Sequence, residues 1–256
     1  MIAAAINLLG RPWNGLTGSA GSAPSVPSGN GLLNYLQAYW AMDDASYGTR
    51  NSSVSGSNTL SDSVGSISAI SGKINNSAYY DNAFGGMYNA LFNGSPTVTL
   101  TGDWSITGWI NINGVHVGDA QGILSFQNAL GIGPLVWMDT DGAIIFNSGT
   151  GAESIAFPDY NIWFHFAMTF NYSLFEFTTY INSGFLDAQN GENSLIPCTE
   201  ITMFNNPYSG HGYPYPDQPF NGSIDEVGFW NRCLTQSNVN ALYNNGNGKS
   251  FSTFTS

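Results

Sequence analysis

From Leu36 onward, short apolar segments alternate with clusters of Gly, Asn, Asp and Ser, and no long stretch repeats at the helical period until near the end of the chain. This is the pattern of a β-sandwich. It predicts strands over 36–42, 77–81, 87–92, 104–112, 122–126, 135–138, 143–146, 162–170, 175–181, 200–204 and 223–230. Two of them alternate cleanly. Trp104, Ile106, Ile110 and Ile112 share one face of the first, and Ile162, Phe164, Phe166, Met168 and Phe170 share one face of the second, so each has a core side. Trp109, Trp163 and His165 fall on the opposite faces. One helix is expected over 236–245, with Thr235 as N-cap, Val239 and Leu242 at i and i+3, and Gly246 as the stop. No internal repeat of fixed period is visible, which argues against propellers and solenoids.

Ahead of the strands, residues 10–31 are rich in Gly, Ser, Ala and Pro, a composition that cannot build a core. They read as an extended N-terminal arm, expected to dock on a neighbouring subunit. The apolar run 1–9 has no charged region before it and is followed by Arg11, so it makes a poor signal peptide and is too short to span a bilayer. The expected division is an arm over 1–33, one domain over 34–248 and a tail over 249–256.

Composition narrows the function classes. With 42% apolar and 14% aromatic residues the chain can bury a substantial core although only 9% is charged. Its 17 acidic and 5 basic side chains give a net charge of −12, so the overall field repels nucleic acid and anionic membranes. Cys198 and Cys233 are the only cysteines. They cannot form a zinc cage, and one bridge or two buried thiols both stay open.

Catalytic sets are missing. There is no Gly-x-Ser-x-Gly elbow and no His-Glu-x-x-His, and His116, His165 and His211 are scattered. His165 reads as a strand histidine hydrogen-bonded to a neighbour. Strict alternation puts Asp225 on one face with Val227 and Phe229, where its carboxylate needs a cation, Arg232 or backbone amides as compensation. The loop 205–218 carries Tyr208, Tyr213, Tyr215 and Asp217 among prolines and glycines, a presentation suited to stacking on a sugar or to subunit packing. Trp109 is a further candidate for a ligand surface, unless a crossing loop covers it. Asn51, Asn93, Asn171 and Asn221 stand in glycosylation-type triplets that decide little.

The stretch from Phe220 through Ile224-Asp225-Glu226-Val227-Gly228-Phe229-Trp230 to Leu234-Thr235, followed by the helix ending Ala241-Leu242-Tyr243, closely resembles the closing signature of laminin-G-like, concanavalin A-type jelly-roll domains. Residues 38–46, 72–81, 102–110 and 163–170 resemble the landmarks that precede it, in the same order. The resemblance implies an all-β fold of two antiparallel sheets packed as a jelly-roll sandwich, with one short C-terminal helix. It also implies a module that binds glycans, proteins or calcium. By the same resemblance a structural Ca2+ would implicate Asp43 and Asp225, although serine stands at Ser52 where an aspartate is common. Glycosidases of this fold carry an alternating Glu-x-Asp-x-x-Glu run, and none of Glu153, Glu176, Glu192, Glu200 or Glu226 starts one. The chain is therefore expected to be no enzyme. The expectation is a structural or adhesion module of phage type on a virion surface, part of an oligomeric assembly, joined to other subunits through residues 1–30 and recognising host glycans. A secreted carbohydrate-binding module is the alternative, and a divergent glycosidase is the third reading.

Overall fold

The computed structural model describes residues 31–44, 48–54, 58–62, 67–81, 91–93, 95–100, 102–114, 120–128, 131–149, 151–191, 198–205 and 218–256, within a compact body running Gly31–Ser256. The arm reading for residues 1–30 lies outside the described residues.

One antiparallel sheet contains β1 (Leu36–Trp40), β4 (Ser68–Ser71), β5 (Asn76–Tyr80), β7 (Trp104–Ile112), β12 (Trp163–Asn171), β13 (Glu176–Ile181), β14 (Gly184–Asn190) and β17 (Gly222–Trp230). Its order is β14-β13-β12-β7-β17-β5-β4, with β1 also against β17. The other sheet contains β2 (Thr49–Arg50), β3 (Leu60–Asp62), β6 (Leu91–Asn93), β8 (Gln121–Gln127), β9 (Leu135–Met138), β10 (Ile144–Asn147), β11 (Glu153–Ala156) and β15 (Glu200–Met203). It runs β11-β10-β9-β8-β15-β6-β3-β2, and the short β16 (Gln218–Pro219) lies parallel to β8. The protein is thus the two-sheet, concanavalin A-like jelly roll that its sequence resembles.

The main core fills the space between the sheets. Trp104, Ile106, Ile110 and Ile112 of β7 meet Phe164, Phe166, Met168 and Phe170 of β12 in it, as their alternation requires. Across the sandwich, Phe126 of β8 stacks on Phe229 of β17 at 5.4 Å and lies 6.3 Å from Trp40 of β1. Ile162 departs from the expected face. It precedes β12 and is exposed.

A second, smaller core covers the outer face of the first sheet. Leu32, Leu36, Tyr39, Trp230, Leu234 and Phe254 pack there with Val239 and Leu242 of the helix α1 (Gln236–Tyr243). Thr235 caps α1, its side chain accepting from the Asn238 amide while the Asn238 side-chain oxygen accepts from the Thr235 amide. The helix stops at Asn244 in a left-handed conformation, φ 49°, two residues before Gly246. Asparagine tolerates that conformation at helix ends, so the glycine is not needed for it. The residues set apart as a tail supply Phe251 and Phe254, both packed on the Tyr39 ring. Chain entry and exit meet: the Leu33 amide donates to the Thr255 carbonyl at 3.0 Å, and a Cβ on Gly31 would collide with the backbone of Thr255 and Ser256. Cys198 and Cys233 are both free thiols.

The sandwich is also tied at one side. The side-chain amide of Gln189, on β14, accepts from the Glu153 amide at 3.3 Å and donates to the Glu153 carbonyl, so it occupies backbone groups of the edge strand β11.

Candidate functional site: a polar cup backed by a buried acidic junction

β17 changes partners along one edge. Gly222 to Ile224 pair with β5, whereas Val227 to Trp230 pair with β1. The change falls at a β-bulge, where the register against β7 shifts between Asp225 and Gly228 and Glu226 adopts φ 50°. The bulge reverses the expected parity. Ile224, Val227 and Phe229 face the main core, and Asp225 stands opposite Trp109 on the outer face. The expectation that Asp225 shares a face with Val227 and Phe229 is corrected by this extra residue, for which a glutamate gives no sequence warning.

Asp225 is 0% exposed, and its Oδ2 accepts from the backbone amides of Lys73 at 2.8 Å and Ile74 at 3.0 Å. Gly72 makes that approach possible, since a Cβ there would stand 2.7 Å from the same oxygen. Oδ1 is buried without a hydrogen bond. Of the compensations considered, backbone amides are the ones used. Arg232 instead donates to the Gly31 carbonyl at 3.0 Å. Glu226, 4% exposed, accepts from the Tyr39 hydroxyl. Burial pushes the Asp225 carboxyl up to about 9, against its amide bonds and helped by the charge of Glu226. Burial likewise raises Glu226 to about 8, with Asp43 adding to it.

Asp43 holds the other side of the same turn. Its Oδ1 accepts from the Asn76 amide and its Oδ2 from the Asn75 side chain, both at 3.1 Å. The two aspartates therefore clamp the turn between β4 and β5. As a calcium cage the pair fits poorly. The ion wants six to eight oxygens, and no group of three or more acidic, His or Cys side chains suited to a metal ion occurs among the described residues.

In front of this junction is an open cup of ≈ 310 Å³ lined by residues 41–44 and 51–53. Met42 turns the chain at φ 56° with its side chain in the main core, which leaves Asp43 and Asp44 on the rim. Asp44 accepts from the Asn51 amide at 3.0 Å and from its side chain at 3.1 Å, tying the two walls together. Ser52 Oγ accepts from the Tyr39 and Val54 amides. Each carboxylate oxygen has a second lone pair, so the cup keeps acceptors beside the Asn and Ser groups. Sequence reasoning named Asp43 but missed Asp44 and Asn51, which are brought together only by the fold.

Trp109 is covered, not open to a ligand. It is 2% exposed, stacked on Tyr243 at 5.7 Å, with Lys73 Nζ 4.6 Å from its ring centroid. His165 lies against it in a T-shaped contact, and burial lowers the imidazole to about 3, so the ring is neutral. Tyr208, Tyr213, Tyr215 and Asp217 lie outside the described residues. His116 and His211 lie outside them too.

Comparison with known proteins agrees with the fold. The model of the Concanavalin A-like lectin/glucanases superfamily matches residues 84–240. No curated protein matches the chain. Among solved structures, the binding domain of Paraclostridial Mosquitocidal Protein 1 gives a TM-score of 0.64 at 14% identity, covering 82% of this chain and 52% of that one. Domain 4 of AbnA, a GH43 extracellular arabinanase from Geobacillus stearothermophilus, in complex with arabinotriose, gives 0.59 at 16% identity, covering 84% and 98%. The binding domain of botulinum neurotoxin DC in complex with SialylT gives 0.60 at 13% identity, covering 82% and 51%. The chain spans about half the length of these toxin binding domains. At such identities the likeness is one of fold.

Proposed function

Because the chain belongs to the Concanavalin A-like lectin/glucanases superfamily, we propose that it is a non-catalytic, lectin-like module that binds a neutral glycan in the cup formed by Asp43, Asp44, Asn51 and Ser52. The cup carries the reading. Sugar hydroxyls both donate and accept, and the cup offers carboxylate acceptors, an amide and hydroxyls around a volume of ≈ 310 Å³. A net charge of −12 opposes anionic ligands. The arabinotriose held by the AbnA domain lends the fold's precedent for a neutral sugar.

Catalysis is disfavoured by burial. A glycosidase needs a proton-bearing carboxyl at the scissile bond and a second carboxyl beside it. The two acids here with raised proton affinity, Asp225 and Glu226, are buried and are not among the residues that line the cup. The test is binding of neutral glycans on an array by the full chain and by Asn51→Ala and Asp44→Asn. Binding weakened at least tenfold in both variants is expected. An array blank for the wild type, or variants that bind undiminished, would sink the reading.

In its finer form the reading is a surface module of a virus particle, held to neighbouring subunits by residues 1–30, with secretion as the alternative. Its support is the linker-like composition of residues 10–31 together with the phage-type resemblance. No helix among the described residues is long and apolar enough to cross a membrane. Deleting residues 1–30 is expected to release the module from its particle, and unchanged incorporation would remove the anchoring role.

A further inference from the structure

The second core supports the cup as well as the helix. Ala41, which lines the cup, and Val54, next to the cup's other wall, both pack against that core, and so does Phe251. Tyr39 joins core and cup. Its ring, 1% exposed, meets Phe251 at 5.3 Å, Phe254 at 5.1 Å and Trp230 at 6.4 Å, and its hydroxyl is fixed on Glu226. Its backbone reaches the wall of the cup: the amide donates to Ser52 Oγ at 3.2 Å, and the carbonyl accepts from the Ser53 amide at 2.7 Å.

That wall has little support of its own. Residues 51–54 form no strand. They are tied to the facing wall by the Asp44–Asn51 bonds and to the first sheet by the Tyr39 backbone. Ala38 and Trp40, the neighbours of Tyr39 in β1, belong to the main core, whereas Tyr39 belongs to the second. Phe251 and Phe254 can therefore leave the Tyr39 ring without opening the sandwich. They sit in a short segment whose backbone bonds are mostly internal, Thr253 to Ser250 at 2.9 Å and Phe254 to Phe251 at 3.0 Å, with Leu33 donating to Thr255 as its bond to the body. Such a segment opens at a lower free-energy cost than the strands beneath it.

Resting on the lectin-like reading, we infer that residues 251–254 are a latch that positions the cup, with Phe251 and Phe254 as positioning residues acting through Tyr39 and Val54. Docked, the two phenyl rings hold the Tyr39 ring between themselves, Trp230 and the Glu226 carboxylate, and the Tyr39 backbone keeps Ser52 and Ser53 opposite Asp43 and Asp44. Undocked, they leave a void beside the ring and under Val54, the 51–53 wall loses its seat, and the polar groups of the cup no longer converge on one ligand. Ligand affinity then follows the fraction of molecules in which the latch is closed.

The experiment follows amide hydrogen exchange and the binding of arabinotriose and cellotriose on the full chain and on its variants Phe251→Ala, Phe254→Ala and Phe254→Leu. Exchange at the Ser53 amide is expected to quicken about tenfold in both alanine variants. The Phe204 amide, bonded to the Ile123 carbonyl at 2.8 Å, is expected to keep its wild-type rate. Affinity for the bound trisaccharide is expected to fall severalfold in the same two variants, and Phe254→Leu, which refills most of the lost volume, to recover most of both changes. Ser53 exchange that stays at the wild-type rate in both alanine variants overturns the latch. So does a Phe204 amide that quickens in step with Ser53, since the loss is then one of global stability. Faster Ser53 exchange with unchanged affinity overturns the role in binding. A wild type that binds neither trisaccharide removes the lectin-like reading beneath the inference, and the wild-type titration alone tells that failure from the others.

Discussion

The backbone amide of Lys73 reaches the carboxylate of Asp225 at 2.8 Å, joining positions 152 residues apart at the point where the last strand changes partners. An aspartate so placed is worth most to the fold when it carries a proton. In the folded chain Asp225 and Glu226 are raised to about 9 and about 8 from ordinary values of 3.8 and 4.5. The unfolded chain therefore gives up protons that the native state keeps.

The consequence is an inverted pH dependence. Both acids contribute stability that is full below their unfolded values and is lost as pH rises through the folded ones. His165 acts in the opposite sense. Lowered to about 3 from 6.5, it withholds stability as pH falls below its unfolded value. From about pH 4.5 to 6.5 the two acids outweigh the one histidine, and above that they act alone. Melting temperature followed from pH 3 to 9.5 is expected to peak at about pH 4–5 and decline toward alkali. Asp225→Asn, which keeps an acceptor for the two amides, is expected to flatten that decline, and an alkaline optimum in the wild type would contradict the assignment.

Gly72→Ala tests the close approach at the same turn. Its Cβ would press on Asp225 Oδ2 and on the Asn76 backbone, and backbone cannot swing aside as a long side chain can. Urea unfolding is expected to show a loss of about 1–3 kcal/mol, the usual cost of overpacking.

Calcium is expected to add nothing to this junction, because no group of three or more acidic, His or Cys side chains suited to a metal ion occurs among the described residues and the ion wants six to eight oxygens. Melting curves with millimolar CaCl2 and with EDTA should coincide. A rise of several degrees on adding the ion would mean that Asp225 Oδ1 is a ligand after all.

Gln189→Ala is expected to make the protein prone to aggregate without unfolding it. The Gln189 side chain covers backbone groups of the edge strand β11, and an uncovered edge is a template for strand addition. Light scattering on prolonged incubation should rise in the variant while its melting temperature stays within a few degrees.

Much of the fold was legible because the signals were local. The alternation in β7 and β12 identified their core faces, and Thr235 marked the start of α1. β14 escaped, since its residues are mostly exposed and carry no alternation. The parity of Asp225 was misjudged because a bulge inserts one residue and glutamate does not announce a positive φ. The cup was half legible. Asp43 stood out as an acidic residue after the first strand, whereas Asp44 and Asn51 acquire meaning only through the hydrogen bonds that join the two walls. Trp109 was legible as lying off the core face, but the ring that covers it, Tyr243, arrives from a helix more than a hundred positions later.

The meeting of Gly31 with Thr255 decides how the body answers mechanical tension. A pull applied at its two ends enters and leaves at one pole, so hydrogen bonds there are loaded one after another instead of together. The Leu33–Thr255 bond and the packing of Phe254 and Phe251 on Tyr39 lie nearest the two loaded points, ahead of the sandwich behind them.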